Sequence, residues 1–170
     1  MEERNKNMKQ GLHVPEELLN QIEYILAHLA EKAHTDSIVL ADISGQVISI
    51  NGIMDEGTPD VVAALAAGDV AAMAELSKRI GESDPHGSFF HEGESKSIYL
   101  HNIAGSFILI VIYRAETPIG LVRLFAKRAV EQLMPITEEF EEIVGPPSSY
   151  TPDDFSKGIT QELDDTFPED

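Results

Sequence analysis

The chain has 170 residues, of which 42% are hydrophobic, so it suits about one domain with a sizeable core. Its formal net charge of −18 disfavours nucleic acid and anionic membrane as partners, because both recruit proteins through a positive field. The absence of cysteine excludes disulfides, thiolate nucleophiles and thiolate metal sites, and it suits a reducing compartment.

The first 13 residues are polar and are expected to be loose. No apolar stretch of the kind that directs export follows them, and the longest apolar run, residues 107–113, is too short to span a bilayer. We therefore expect a cytoplasmic protein without direct membrane insertion.

A helix is predicted to begin at Pro15 and to end between Ala33 and Thr35, because proline suits a first helical position and apolar residues recur at helical spacing. Its apolar stripe consists of Leu18, Ile22, Ile25, Leu26 and Leu29. Two β-branched runs follow at 37–41 and 46–50. Residues 42–45 favour a type I turn with a bulge at Gly45, so these runs form a predicted hairpin.

The stretch 58–81 predicts a helix with two apolar faces, with Thr58 as N-cap, Pro59 at the first helical position and Gly81 at the end. Large residues gather on one side as the predicted core stripe: Val61, Val62, Leu65, Met73, Leu76 and Ile80. Almost opposite lies an alanine face: Ala63, Ala64, Ala67, Ala71 and Ala74. This face either lies in water, since alanine favours any helix, or allows a second helix or a partner protein to come close.

Asp69 falls among the predicted core positions of this helix. A lone carboxylate there is costly unless it is bonded or solvated. It either anchors a helix pair or partner contact, or lies at the margin of the buried stripe, and we favour the margin.

Three further strands are predicted at 87–91, 96–101 and 107–114, and the run 107–113 is apolar on both faces, as expected of a central strand covered on both sides. A last helix follows Pro118, and Pro135 is expected to end or kink it before 136–144. Hairpins between helices predict an α+β fold, a five-stranded antiparallel sheet with helices on both faces.

Four basic residues stand close together in this otherwise acidic chain: Arg114, Arg123, Lys127 and Arg128. They either pair with Glu131 or with the acidic end of the chain, or they form a phosphate site. Ion pairing is the favoured interpretation.

Residues 145–150 form a Pro/Ser linker between the predicted domain at 14–144 and a tail at 151–170. In the tail, Phe155, Ile159 and Leu163 recur at helical spacing before an acidic end. A single helix of this length is marginal in water, so the tail either docks on something or is disordered.

The sequence lacks the common motifs for catalysis, nucleotide binding and metal binding. No phosphate-binding glycine loop, nucleophile elbow or paired-histidine metal motif occurs, so we expect no bound nucleotide cofactor, no metal and no catalytic constellation. His86, His91 and His101 could meet across neighbouring strands, but surface or edge histidines are the favoured interpretation.

The segments SIVLADISGQVIS, LSKRIGE and ETPIGLVRLFAKRAVEQL, in this order, resemble the roadblock (dynein light-chain) family, especially its bacterial gliding-motility branch of MglB type. The resemblance covers about residues 16–144. It implies the roadblock order α-β-β-α-β-β-β-α, with a C-terminal tail helix. It also implies a homodimer whose sheets join through their third strands and whose middle helices lie side by side.

The resemblance further implies a GTPase-activating regulator of a small Ras-like GTPase of MglA type, in cell polarity and gliding motility. The alternative is a non-catalytic scaffold that binds a GTPase or other roadblock chains without changing turnover. Arg79 is the only arginine on the middle helix, and its sequence context does not mark it as a catalytic finger. The resemblance instead implies that the regulator reshapes the GTPase.

Site residues carried over from the resemblance fall into two sets. The implied GTPase contacts are Ala64, Ala67, Gly68, Ala71, Glu75, Phe155, Ile159 and Leu163. The implied dimer edge is Gly87, Ser88, Phe89, Phe90 and His91.

Overall fold

The computed structural model describes residues 14–84 and 87–144. Its helices are α1 (Glu16–Ala33), α2 (Thr58–Arg79) and α3 (Ile119–Val144), and its strands are β1 (Ser37–Asp42), β2 (Val47–Gly52), β3 (Ser88–His91), β4 (Lys96–Ile103) and β5 (Phe107–Arg114). The predicted α+β class and order of elements are confirmed. The predictions for 1–13, for the linker 145–150 and for the tail helix at 151–170 lie outside the described residues.

The strands form one antiparallel sheet in the order β2-β1-β5-β4-β3. β5 lies at its centre, as the unbroken apolar run predicts, and is fully buried from Phe107 to Val111. β2 and β3 are the two edges. On their outer sides, the backbone N–H and C=O groups pair with no other strand of the described chain.

Helices cover both faces of the sheet, as predicted. α1 and α3 pack against each other and share the larger core, where the rings of Phe107 and Phe140 meet edge to face at 4.9 Å between centroids. α2 lies on the opposite face, over β1, β2 and β5, and closes a smaller core that includes Val39, Ile108 and Ile110. One side of α2 is therefore available for other contacts.

The hairpin between β1 and β2 turns around Asp42. Its Oδ1 accepts hydrogen bonds from the backbone N–H groups of Ser44 and Gln46, at 3.0 and 2.9 Å. Gly45 takes a φ of 89°, its N–H donates to the carbonyl of Asp42 at 3.0 Å, and the N–H of Asp42 donates to the carbonyl of Gln46 at 2.9 Å, as in a type I turn followed by a bulge at glycine. A separate register shift lies farther along the two strands, between Leu40 and Ala41. The predicted turn and bulge are confirmed.

α2 ends where the glycine signal predicts. Gly81 has a φ of 82°, and its N–H donates to the carbonyl of Lys78 at 3.2 Å. The N–H of Glu82 reaches back to the carbonyl of Ser77 at 2.9 Å. These two bonds satisfy carbonyls that the end of the helix would otherwise leave unpaired.

Of the two predicted effects of Pro135, ending the last helix is wrong, because α3 continues through it to Val144. An interior proline costs about 3 kcal/mol. Ile136 and Phe140, however, lie on the buried side of the same helix at 4% and 6% exposure, and burying each contributes about 1.5–3 kcal/mol. Packing of the last turns outweighs the missing backbone hydrogen bond.

Candidate interaction surface on helix α2 and strand β3

The side of α2 that packs on the sheet is the small one. Ala63, Ala66 and Val70 are buried, at 0%, 5% and 2% exposure. The predicted core stripe is wrong for four of its members, which are 50–74% exposed: Val61, Leu65, Leu76 and Ile80. The other two, Val62 and Met73, are half-buried.

The inversion has a physical reason. Both faces of α2 are apolar, so helical periodicity locates the two faces without deciding which one meets the sheet. Small side chains let the helix backbone lie close to neighbouring elements. At the hairpin tip, a Cβ built on Gly45 would lie only 2.9 Å from the Cα of Ala64. Of the predicted alanine face, Ala63 is therefore buried against the sheet, whereas Ala64 and Ala71 are exposed to solvent.

The outer surface of α2 combines two kinds of residue. One flank carries the large apolar side chains of Val61, Leu65 and Leu76. The neighbouring flank carries small residues and Glu75. Of the GTPase contacts implied by the resemblance, Ala64, Gly68, Ala71 and Glu75 are exposed and Ala67 is half-buried.

Gly68 stands in the open part of this surface. Its backbone does not have the positive φ that would require glycine, and no heavy atom lies within 4 Å of a Cβ built on it. Glycine within a helix costs about 0.5–1 kcal/mol relative to alanine. Within the described chain, nothing in the packing around Gly68 requires a residue without a side chain.

The polar end of the surface is an ion pair. The Nε of Arg79 donates to Oε1 of Glu75 at 2.8 Å, one helical turn apart, and both side chains are exposed. This hydrogen bond, aided by the positive charge of Arg79, lowers the pKa of Glu75 below its ordinary value. The guanidinium of Arg79 is thus engaged along its own helix.

Asp69 lies on the outside of α2 and is exposed. The prediction that it occupies a core-facing position is wrong because the flank it shares with Leu65 and Leu76 points away from the sheet. Its carboxylate is solvated, so it carries no burial cost in this chain.

The implied dimer edge lies on β3. Ser88, Phe90 and His91 are exposed, while Gly87 and Phe89 are half-buried. Because neighbouring residues of a strand alternate between faces, Phe89 points toward the α2 side, where it packs on the smaller core, and Phe90 points to the other side. Phe90 remains 51% exposed. The outer edge of β3 thus offers backbone hydrogen-bonding groups and the exposed ring of Phe90 for contact with another strand.

A histidine and a tyrosine lie behind this edge. His101 of β4 pairs with Ser88 of β3, and its Nδ1 is 3.1 Å from the hydroxyl of Tyr99. Burial lowers the pKa of His101 below its ordinary value, and the negative charge of Asp84 partly opposes this shift. The imidazole is therefore biased toward its neutral form.

The described ranges, residues 14–84 and 87–144, contain no candidate metal site. In them no three histidine, aspartate or glutamate side chains are placed to bind a metal ion, and no helix is long and apolar enough to cross a membrane. His86 lies outside the described residues, as do the implied tail contacts Phe155, Ile159 and Leu163.

Sequence reasoning missed the exposed apolar residues of α2 and also Ile53, which is 96% exposed in the loop before the helix. The available signal was the second apolar face of α2. One apolar face is enough to pack a surface helix onto the core of its own domain, so a second apolar face indicates a contact with another helix or another protein.

Comparison with known proteins agrees with this fold. Residues 21–113, more than half of the chain, match the model of the Roadblock/LC7 domain family. The structure of MglB from Myxococcus xanthus is similar, with a TM-score of 0.70 and 36% identity over 76% of this chain and 96% of that chain. The gliding protein MglB from Thermus thermophilus has a TM-score of 0.69 and 25% identity, over 77% and 98%.

A further relative is an uncharacterized protein of Aquifex aeolicus strain VF5. It is 20% identical over 143 residues, which are 84% of this chain and 88% of that protein. The family match spans both strands of the first hairpin, all of α2 and the strands up to β5. The chain therefore belongs to the Roadblock/LC7 domain family, and within this family it is similar to MglB proteins.

Proposed function

We propose that this protein is a homodimeric activator of a small Ras-like GTPase of MglA type, acting in cell polarity and gliding motility. The observation that carries the proposal is the outer surface of α2, where large apolar and small residues lie exposed side by side in a chain similar to MglB proteins. Apolar surface of this kind marks sites of protein contact.

In the proposed dimer, the β3 edges of two copies pair and their α2 helices lie side by side. Pairing would satisfy the outer backbone groups of β3. Leu65, Leu76 and Ile80 are 68%, 50% and 74% exposed in the single chain. Complete burial of such a side chain contributes about 1.5–3 kcal/mol, so each would gain roughly 1–2 kcal/mol from the second helix.

Leu65→Asp should shift the protein from dimer to monomer in sedimentation velocity, because a carboxylate would replace an apolar contact between the helices. Leu124→Asp is the matched control, since Leu124 is 48% exposed on α3, away from the proposed interface. It should remain dimeric. A dimeric Leu65→Asp variant would contradict the proposed helix pair.

The small flank of α2 is proposed as the platform for the GTPase. Ala64, Gly68 and Ala71 allow another backbone to approach closely, and half-buried Ala67 borders them. Glu75, held by Arg79, offers a hydrogen-bond acceptor at the end of the platform. Phe155, Ile159 and Leu163 of the tail are proposed as additional contacts.

Activation would proceed by population shift. A regulator accelerates hydrolysis in this way if it binds the competent conformation of the GTPase more tightly than the resting one. Arg79 is paired with Glu75 and is not assigned as an arginine finger. Arg79→Ala should therefore lower the stimulation of hydrolysis by no more than about tenfold, because it removes only the hydrogen bond that holds Glu75. A loss of about a thousandfold or more would instead indicate a finger.

The deciding experiment measures GTP hydrolysis by an MglA-type GTPase with and without this protein. We expect faster hydrolysis with the protein. Gly68→Ala should weaken GTPase binding although it stabilises α2, because the added methyl group lies where the partner approaches. Gly120→Ala is the matched control, since that glycine of α3 also has open space around it. Unchanged hydrolysis despite a stable complex would favour the scaffold alternative.

A further inference from the structure

The first half of α3 carries exposed cations: Arg123, Lys127 and Arg128. In the described part of the chain, none of them forms an ion pair, so the predicted local pairing with Glu131 is not observed. Arg114 of β5 is separate from them, because it pairs with Asp36 at 3.8 Å and with Glu116 at 3.6 Å. The charges on α3 therefore remain available for a contact outside the described chain.

Charge along α3 is arranged against the helix dipole. The dipole favours acidic residues near the start of a helix and basic residues near its end. In α3 the first turn has no acidic residue and the last turn no basic one. The cations stand in the first half, and Glu138, Glu139 and Glu142 are exposed in the second half. The stability of α3 does not explain this order, and a contact between charged surfaces does.

The two opposite sides of α3 have the same residue spacing. Buried residues recur in alternating steps of four and three on the side that faces the core: Val122, Ala126, Ala129, Leu133, Ile136 and Phe140. Exposed residues recur in the same steps on the opposite side: Leu124, Arg128, Glu131, Pro135, Glu138 and Glu142. Helices that lie along one another meet through residues with this spacing. The exposed side of α3 therefore has the pattern of a second helix contact.

We infer that the exposed side of α3 binds the same side of α3 in a second copy of this chain. The two helices run antiparallel around a two-fold axis at the level of Leu133. In such a contact the same surface serves both copies, so the basic half of each helix meets the acidic half of the other. A parallel pair would set like charges side by side, so the charge order selects the antiparallel one.

The register of this pair brings opposite charges together. Arg128 lies level with Glu138 of the second copy. Lys127 and Glu138 share one flank of the exposed side, and Arg128 and Glu139 share the other, so each cation has a carboxylate beside it. The guanidinium of Arg128 lies 5.3 Å from the centre of the Phe125 ring, which restrains it while its N–H groups remain able to donate. Two-fold symmetry forms each of these ion pairs twice.

Apolar residues contribute near the axis and at the ends of the pair. Met134 is 38% exposed and lies one position from the axis, so its two copies meet there. Leu124 is 48% exposed and lies level with Glu142 of the second copy, whose methylene groups it covers. Glu131 is a mismatch, because its two copies are separated by only about 6 Å along the helices and repel each other.

The contact is weak between single chains. Exposed ion pairs contribute little individually, and one side of a helix is smaller than the standard interface of about 1,600 Å². α3 and α2 lie on opposite faces of the sheet, so pairing through α3 leaves α2 and the β3 edge free. It requires only this chain and stands independently of the proposed function. Its consequence rests on that proposal: dimers joined through α3 would gather several GTPase platforms in one assembly.

Disulfide formation tests the register, because the chain has no native cysteine. Full-length Leu124→Cys is mixed with full-length Glu142→Cys under mild oxidation, and each variant alone is the matched control. In the antiparallel pair, residues 124 and 142 of different copies are level, whereas the two copies of residue 124 are roughly 27 Å apart along the helices. The mixture should therefore crosslink at least tenfold faster than either variant alone. Equal rates would overturn the inference.

Charge exchange tests the ion pairs in the same assay. Lys127→Glu with Arg128→Glu should slow the crosslink at least fivefold, and about 1 M salt should slow it by screening. Adding Glu138→Lys and Glu139→Lys returns the net charge to its original value and should restore the rate. A rate that ignores the reversal, or that the exchange fails to restore, would overturn the inference. All these positions are exposed, so thermal unfolding should confirm folded variants.

Two further variants separate this contact from its alternatives. Glu131→Gln should at least double the rate of crosslinking, because it removes the repulsion at the axis, and a slower reaction would contradict the register. Leu65→Asp, introduced into both cysteine proteins, should keep the tenfold difference, because α2 is on the other face of the sheet. Loss of that difference would overturn the inference, whereas a failure of the proposed dimer or of GTPase activation would leave it standing.

Discussion

The packing of the hairpin tip against α2 makes Gly45→Ala an informative substitution. Gly45 has a φ of 89°, which alanine adopts only with strain, and a Cβ there would lie 2.9 Å from the Cα of Ala64 and 3.2 Å from the carbonyl oxygen of Ala63. These neighbours are backbone atoms, so no side-chain rotation can relieve the contact. Either the hairpin or α2 must move.

The expected magnitude has two parts. Strain from the left-handed conformation costs about 1–2 kcal/mol, and forced overpacking typically costs a further 1–3 kcal/mol. Gly57→Ala provides the matched control, because Gly57 also has a positive φ, 77°, but no heavy atom lies within 4 Å of its added Cβ. Gly45→Ala should therefore lose about 1–3 kcal/mol more than Gly57→Ala.

Urea unfolding followed by circular dichroism measures both variants against the parent protein. For a chain of this size, each kcal/mol corresponds to about 2–4 °C in thermal midpoint, so calorimetry provides a second readout. Equal losses in the two variants would refute the reasoning. They would mean that the hairpin tip does not press on α2, and the close approach assigned to the small residues would be wrong.

Two further predictions concern the opposite face of the sheet. Phe140→Ala should lower the free energy of unfolding by about 3–5 kcal/mol, because it removes a buried ring that contacts Phe107. Ile143→Ala, at a half-exposed position one turn further along α3, should lower it by less than about 1 kcal/mol. If urea unfolding shows an equally small loss for both variants, the continuation of α3 beyond Pro135 is contradicted. Burial of His101 lowers its pKa below the ordinary 6.5, so the unfolded chain binds more protons as pH falls from 6.5 toward the lowered value, and stability decreases in that window. His101→Gln should flatten this dependence in unfolding curves recorded across it, and an unchanged slope would contradict the assignment.

Most of the fold follows from local patterns. Strand β5 is apolar on both faces, and only the centre of a sheet covered on both sides buries such a run. The hairpin at Asp42 and the end of α2 at Gly81 follow from backbone conformations that few residues adopt. These features depend on neighbours in sequence, and the chain therefore predicts them.

The site was only partly predictable. The sequence and its family resemblance point to α2 and to the β3 edge, and the structure leaves Gly68, Ala71 and Phe90 exposed there. The sequence left open whether the last helix ends or only kinks at Pro135, because the gain from burying Phe140 depends on a ring contributed by β5. Local propensity does not include such distant contacts.

The sequence by itself determined the order of elements, the family and the presence of two apolar faces on α2. Only the tertiary structure decided which face meets the sheet. Beside the hairpin tip, Ala63 faces inward because the close approach of the backbone at Gly45 leaves little room for a larger side chain, and Ala66 and Val70 continue the same buried side. The larger Leu65 and Leu76 are thereby placed outside, where they become surface for contact.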